Sequence, residues 1–278
     1  MNKKDFKKFF EPYSKNVDNA NQQSFWKFSD KIIEEIIKIH IPKNLNSENI
    51  IMDAGGGTGR WIVNLSRKYK CNFILYDLSE DMLERANENI NKAKINSRVK
   101  IIHGDLTDIK AVQSNSIDYI VSIYSPISFI SDIKSAVNEL YRILKRRGKL
   151  IIMGHGGFNA INSKINNYLA PATEIKKLEK EFMVKWGTNM PKLHVFSKET
   201  MEELLKGSGF KIKNTYGVPV FMQPGPEDFD PENKKISRIS KALENSRFFE
   251  TVFDLEMKYN SLPTIANRGM NILTVAIK

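Results

Sequence analysis

Three aspartates, each closing or following a short apolar run, are the side chains of this sequence best placed to do chemistry. Asp53 precedes the cluster Gly55-Gly56-Gly57-Thr58-Gly59, Asp77 closes the run 72–76, and Asp105 stands between Gly104 and Leu106. Glycines let a backbone turn sharply and approach a ligand that side chains would hold off. A dinucleotide fingerprint G-x-G-x-x-G started at Gly55 needs glycine at position 60, where Arg60 stands. A carboxylate just before the turn would repel a pyrophosphate, and suits a ligand bearing an ammonium group. Asp77, 22 residues beyond Gly55, can accept hydrogen bonds from both hydroxyls of a ribose. Such charge-assisted bonds are worth roughly 1.5–3 kcal/mol each. Asp105 can accept from an adenine amino group while Leu106 packs on the ring. Taken singly, each acid reads equally well as a turn residue at a strand end. Three in succession along the carboxyl edge of a sheet read as one site.

The elements that must position these residues alternate in type. Apolar runs at 49–54, 72–76, 98–103, 117–123 and 149–153 predict five strands. Helices are expected over 60–69, from an N-cap at Ser79 to about residue 94, and over 133–145, the last stopped by Gly148 at C′. Strands separated by helices imply crossover units and a parallel sheet. Upstream, Phe25, Phe28, Ile32, Ile36 and Ile39 recur at helical spacing until Pro42. Downstream, 158–186 reads as mostly helical, Ser197 as the N-cap of a helix to 208, and 211–218 as a sixth strand. A proline-rich connector at 223–232, a helical stretch at 233–259 and a final strand at 270–277 follow. The whole reads as one domain over 1–278.

Charge and composition set outer bounds. The 43 basic and 32 acidic residues give a formal charge of +11, compatible with an anionic partner or with lysines spread over a solvated surface. No apolar run is long enough for a membrane span, and no secretory h-region follows the basic start. Cys71 is the sole cysteine, so neither an internal disulfide nor a zinc site is expected, and the cytoplasm is the expected location.

The segments DAGGGTG (53–59), YDLS (76–79) and GDL (104–106) resemble the first, ribose-binding and adenine-contacting motifs of the class I methyltransferases. IDYIVSI (117–123) and ELYRILKRRGKLIIM (139–153) are similar to that family's fourth strand and to its next helix and fifth strand. The resemblance covers 49–153, and more loosely 194–212. It implies an α/β Rossmann-like fold with a seven-stranded, mostly parallel sheet in the order 3-2-1-4-5-7-6, strand 7 antiparallel. It also implies S-adenosylmethionine as cofactor, a helical cap over 1–45, a cofactor-binding core over 49–153, and helical insertions over the active site at 156–193 and 222–265. Cofactor contacts then fall on Asp53, Gly55, Gly57, Gly59, Asp77, Leu78, Met82, Gly104, Asp105, Leu106 and Ile123. Tyr13, in the capping segment FFEPYSKNVD, is the aromatic residue expected over the cofactor. Within the class the chain looks most like the ubiquinone-biosynthesis and small-molecule type. It departs from many members in carrying Ser128 where they have histidine.

A sulfonium is already an activated leaving group, so the protein's main task is to align the acceptor for in-line displacement and exclude water. A general base matters for an oxygen or carbon acceptor that must lose a proton. His155, in Gly154-His155-Gly156-Gly157, and Tyr124, just past the fourth strand with Ser125, are the candidates. His103 reads as half-buried and His194 as a packing or capping residue. Aromatic and methionine residues of the covering segments, among them Phe158, Phe182, Met183, Trp186, Phe221, Met222, Phe248, Phe249 and Phe253, could line an apolar chamber or simply pack the lid. A small-molecule acceptor is the reading preferred. A nucleic-acid acceptor is the alternative raised by the charge; the Asn/Asp-Pro-Pro-aromatic motif of base amino-methylating enzymes is replaced by Tyr124-Ser125-Pro126-Ile127, and Cys71 lies too early for a cytosine C5 nucleophile. Cofactor binding without transfer stays open, a nicotinamide oxidoreductase is disfavoured by Arg60 and Asp105, and the oligomeric state is not set.

Overall fold

The computed structural model describes residues 18, 21–187, 190–230, 232 and 234–278. Nine strands form its sheet: β1 (Ile50–Ala54), β2 (Asn72–Asp77), β3 (Val99–His103), β4 (Ile117–Ser122), β5 (Leu144–Gly156), β6 (Met183–Val184), β7 (Leu193–Phe196), β8 (Lys211–Val218) and β9 (Asn271–Ile277). The seven long strands lie in the order β3-β2-β1-β4-β5-β9-β8, with β9 antiparallel to both neighbours and the other pairings parallel. That is the expected order. The departure is the short pair β6–β7, which joins the sheet where β7 runs parallel to β5 at His155 and Gly156. Sequence periodicity cannot register strands of two and four residues.

Neighbouring residues of each central strand face opposite layers, as a period of two requires. Ile51, Val121 and Ile151 share one core with α1 (Ser24–His40), α2 (Arg60–Ser66) and α3 (Glu80–Lys92). Met52, Ile120 and Ile152 share the other with α4 (Ile133–Ile143) and, past the two insertion helices α5 (Gly157–Asn166) and α6 (Ala172–Glu181), with α7 (Lys198–Gly207). Burying both faces of a parallel sheet explains the unbroken apolar runs. The insertion after β5 has its own small core of Ala160, Leu178, Val184, Leu193 and Val195.

Several local expectations change. In α1 the buried stripe runs Phe25, Phe28, Ile32, Ile33, Ile36, Ile37 and His40, while Ile39 is 63% exposed. The face drifts by one residue, and His40 rather than Ile39 completes it through its ring nitrogen 2.8 Å from the Tyr216 hydroxyl. Helix α4 stops at Ile143, and Gly148 is not its C′ residue. The helix passes straight into β5, its terminal carbonyls taken by Asn115 and Ser116 amides and by Lys278 Nζ, 2.7 Å from the Tyr141 oxygen. The left-handed residue nearby is Arg147, φ +65°. Gly148 instead fits where a Cβ would meet the carbonyl oxygens of Lys145 and Asp118. The stretch 158–186 ends in strand β6, and 233–259 holds two helices, α8 (Arg238–Ala242) and α9 (Ser246–Tyr259), followed by the short α10 (Pro263–Ala266). Ser79 and Ser197 cap α3 and α7 as read. None of the described helices is long and apolar enough to cross a membrane.

One buried acid ties α9 to the chain just past β8. Glu256 of α9 is fully buried and accepts from the amides of Val220, Phe221 and Met222 at 2.8, 2.8 and 3.1 Å. Three donors left unpaired in the interior would cost roughly 1–3 kcal/mol each. Glu256→Ala is expected to lower unfolding stability by about 3 kcal/mol or more, with Glu256→Gln intermediate; denaturant titration reads both.

Candidate active site

The junction of β1 with α2 is built by backbone geometry before any side chain acts. Gly55, Gly57 and Gly59 have φ of +76°, +52° and +74°, where a Cβ is strained. The Gly55 amide donates to the Tyr76 carbonyl at 2.8 Å, folding the turn back onto the end of β2. A Cβ on Gly55 would run into Pro126, and one on Gly104 into the Tyr76 hydroxyl. The glycines are therefore demanded by close approach of neighbouring segments as well as by conformation.

Asp53 and Asp77 meet at this turn. Asp77 accepts from the Gly57 amide at 2.8 Å and the Ser79 amide at 2.9 Å. Burial raises its pKa, with bonds from the Ser79, Gly57 and Leu78 amides opposing. Asp53 is 2% exposed, and its Oδ2, folded over Gly56, has no hydrogen-bond partner. Burial, then the nearby Asp77 charge, pushes its pKa up to about 7, with Arg60 opposing. An unpaired buried carboxylate oxygen beside a second carboxylate is a poor arrangement for a bare protein and a good one for a cation.

The remaining expected contacts lie around the same edge. Met82 is buried in the first turn of α3 with its sulfur beside Gly57, and Leu106 is buried beside Gly55. Ile123 is buried just after β4, and the Leu78 carbonyl faces the His103 ring at 3.0 Å. Asp105 Oδ1 accepts from the Thr107 amide at 3.0 Å and hydroxyl at 2.8 Å, an arrangement that fixes the turn after β3. Tyr13 lies outside the described residues. His103 is exposed rather than half-buried, and His194 lies within β7, leaving the α7 cap to Ser197.

The end of β4 holds a constellation not foreseen. Tyr124 and Ser125 are consecutive left-handed residues, φ +60° and +68°, a conformation that costs roughly 1–2 kcal/mol per residue. Tertiary contacts hold both. The Tyr124 hydroxyl donates to Asp30 Oδ1 at 2.5 Å, its ring is packed by Trp26 and Trp61, and the Arg60 guanidinium lies 5.1 Å from its centroid. Arg60 in turn pairs with Asp30. Burial and Asp30 together push the Tyr124 pKa up, so its proton stays put. Burial would lower the Arg60 pKa, but Asp30 raises it further. No sequence signal links residues 30, 60 and 124; only the fold brings them together.

Ser125 is fully buried and donates to Asn271 Oδ1 at 3.1 Å, while Asn271 Nδ2 donates to the Val218 carbonyl at 3.2 Å. Asn271 hydrogen-bonds the His155 ring, and the His155 amide donates to Ser128 Oγ at 3.0 Å. Burial holds the His155 pKa down at about 4, against the Asn271 bond, so the ring is neutral at ordinary pH. The covering aromatics divide into separate groups rather than one chamber: Phe249 and Phe253 against Phe28, Phe158 against Phe182, Trp186 against Tyr168, and Phe221 against Tyr259.

Comparison with known proteins places this geometry in context. A family described as a methyltransferase domain matches residues 51–148. The tRNA 5-carboxymethoxyuridine methyltransferase of Escherichia coli K12 is 21% identical over 227 residues, covering 78% of this chain and 82% of that protein. The ubiquinone/menaquinone biosynthesis C-methyltransferase UbiE of Rickettsia typhi is 31% identical over 115 residues, covering 40% of this chain and 45% of that protein. A Haloferax volcanii protein solved in complex with the Trm112 methyltransferase activator superposes with a TM-score of 0.60 at 12% identity, covering 96% of each chain.

The state of Asp53 has a measurable signature. Its pKa is about 7 folded and about 3.9 in an unfolded chain. The folded protein therefore binds the proton more tightly, and stability falls as pH rises from about 4 to about 7. Asp53→Asn is expected to raise the melting temperature of the ligand-free protein more at pH 8 than at pH 5. A pH-independent difference would show that the carboxylate is not desolvated.

Proposed function

We propose that the chain is a class I S-adenosylmethionine-dependent methyltransferase that moves the methyl group to a small-molecule acceptor. The observation carrying the acceptor class is the clasp over the glycine turn. Asp18 accepts from Thr58 Oγ1 at 2.8 Å and from Asn89 at 3.2 Å, so its carboxylate lies against the end of the turn. The start of α1 is locked to the connector after β8: the Trp26 indole donates to the Asp228 carbonyl at 2.6 Å, the Gln23 amide to the Glu227 carbonyl at 2.8 Å, and the Phe25 amide to Ser240 Oγ at 3.0 Å. A turn met by Asp18, beside an α1 whose start is locked to the connector after β8, suits an acceptor that can be enclosed.

The residues present fit the cofactor. The unpaired Asp53 oxygen suits its ammonium group, the glycine turn leaves room for close backbone approach, and Asp77 keeps lone pairs for a ribose. Asp105 and Leu106 are assigned to the adenine, with Gly104, Leu78, Met82 and Ile123 around it. When bound, S-adenosylmethionine supplies a methyl carbon on a sulfonium leaving group. The chain's own residues do the rest. The clasp excludes water, and the Asp30–Arg60–Tyr124 cluster sets the backbone at the end of β4, giving Tyr124 a positioning part. His155, neutral and oriented by Asn271, takes the acceptor's proton where one must leave.

An RNA acceptor is the second reading, favoured by the tRNA-modifying relative that spans most of the chain and by the +11 charge. Two measurements test the assignment. Asp77→Ala is expected to weaken S-adenosylhomocysteine binding by at least about tenfold in calorimetry, roughly one charge-assisted bond; an unchanged affinity would remove Asp77 from the ribose. Incubation with tritiated cofactor and cell extract should label the low-mass fraction. Label above background in bulk tRNA or rRNA would give the second reading precedence.

A further inference from the structure

The insertion that grows out of β5 forms an open cavity of about 480 Å3, lined by none of the residues assigned to the cofactor. Lys164, Lys177, Lys185 and Lys192 stand on its wall with one acidic residue, Glu174. Glu174 is committed to Lys164, at 2.7 Å. A second acid at the rim, Glu181, meets Lys192 at 2.5 Å and Lys177 at 3.9 Å. Two carboxylates against four ammonium groups leave the cavity positive.

The cavity also has an aromatic side. Trp186 lines it, and the Tyr168 ring lies 5.8 Å from Trp186, centroid to centroid. The Lys164 ammonium, its side chain 7% exposed, lies 4.8 Å from the Tyr168 ring and 5.8 Å from the Trp186 ring. It also donates to the Lys185 carbonyl at 2.6 Å. Burying an ammonium costs free energy unless it is paired, and here the pairing fixes α5, α6 and the Lys185–Trp186 backbone in one arrangement. The outcome is a pair of partly exposed rings braced from the buried side, flanked by lysines. A simple anion would need the lysines alone; rings beside them match a planar base carrying a phosphate.

We propose that this cavity is a nucleotide-binding site, with the phosphate among Lys177, Lys185 and Lys192 and the base against the Trp186–Tyr168 pair. It is independent of the acceptor chosen above, since it takes a ligand by charge and stacking and not by methyl transfer. The same chemistry is offered by a free nucleotide and by a unit of an RNA strand. Through β7, the insertion pairs with β5 at His155, so a ligand held there is tethered to the strand carrying the candidate base.

Tryptophan fluorescence of the full chain provides the readout, because Trp26 and Trp61 are buried while Trp186 is partly exposed. Uridine 5′-monophosphate, a short oligouridylate and inorganic phosphate are titrated separately. Saturable quenching by the mononucleotide identifies a free nucleotide as sufficient; quenching by the oligomer alone identifies a strand. Either supports the site. Lys185→Glu should weaken that binding roughly tenfold, and Trp186→Phe should abolish the quenching, while both variants bind S-adenosylhomocysteine as the parent does. That control keeps loss of this site distinct from loss of the cofactor site or of the fold. Silence from both nucleotides, inorganic phosphate binding as tightly as the nucleotide, or an unchanged affinity in Lys185→Glu would each overturn the proposal.

Discussion

The structure is organised around a buried carboxylate that it does not satisfy. Asp53 sits at the end of the central strand, with one oxygen unpaired and Asp77 close by. Solvent is shut out on both faces of the sheet, so the free energy of that group can be recovered only through protonation or through a cation brought in from outside. The surrounding features follow from keeping such a place open. Glycines must turn where side chains would fill it, the Asp77 carboxylate must hold the turn by its amides, and the flanking strands must carry their polar residues at the same edge.

Much of this was legible in the sequence because the information is local. The acid–glycine turn, the acid at the end of β2 and the N-caps of α3 and α7 each depend on a few consecutive residues and on backbone rules that hold in any fold. The apolar runs of a doubly covered sheet were equally plain, and the order of the seven long strands followed from the resemblance of 49–153, and more loosely of 194–212, to the class I methyltransferases, with 270–277 as the last strand. What escaped is non-local. Asp30, Arg60 and Tyr124 are separated by 30 and 64 residues and meet only after α1 has packed beside α2. Asn271 reaches His155 and Ser125 from the last strand. The β6–β7 pair is too short for any periodicity, and the end of α4 is set by partners at 115, 116 and 278 rather than by its own Gly148.

Those long-range contacts explain why a costly backbone survives at the end of β4. Two successive left-handed residues without glycine are tolerable because each side chain is anchored elsewhere, Tyr124 to Asp30 and Ser125 to Asn271. The conformation is over-determined by its surroundings, the usual condition for strain to persist beside a working site. It also couples α1 to the sheet edge that carries Asp53 and Asp77: α1 cannot leave without releasing Tyr124 and uncovering Arg60.

Among the described residues, the insertion after β5 is the covering segment with a core of its own, formed by Ala160, Leu178, Val184, Leu193 and Val195. Its attachment to the sheet is narrow, two residues of β7 lying beside His155 and Gly156. Such a module is exchangeable in descent: its loops and surface can drift, or be replaced wholesale, while the hydrogen-bonded ladder beneath keeps its register. Within one lineage, the grip on the donor can therefore stay constant while what gathers above β5 diversifies.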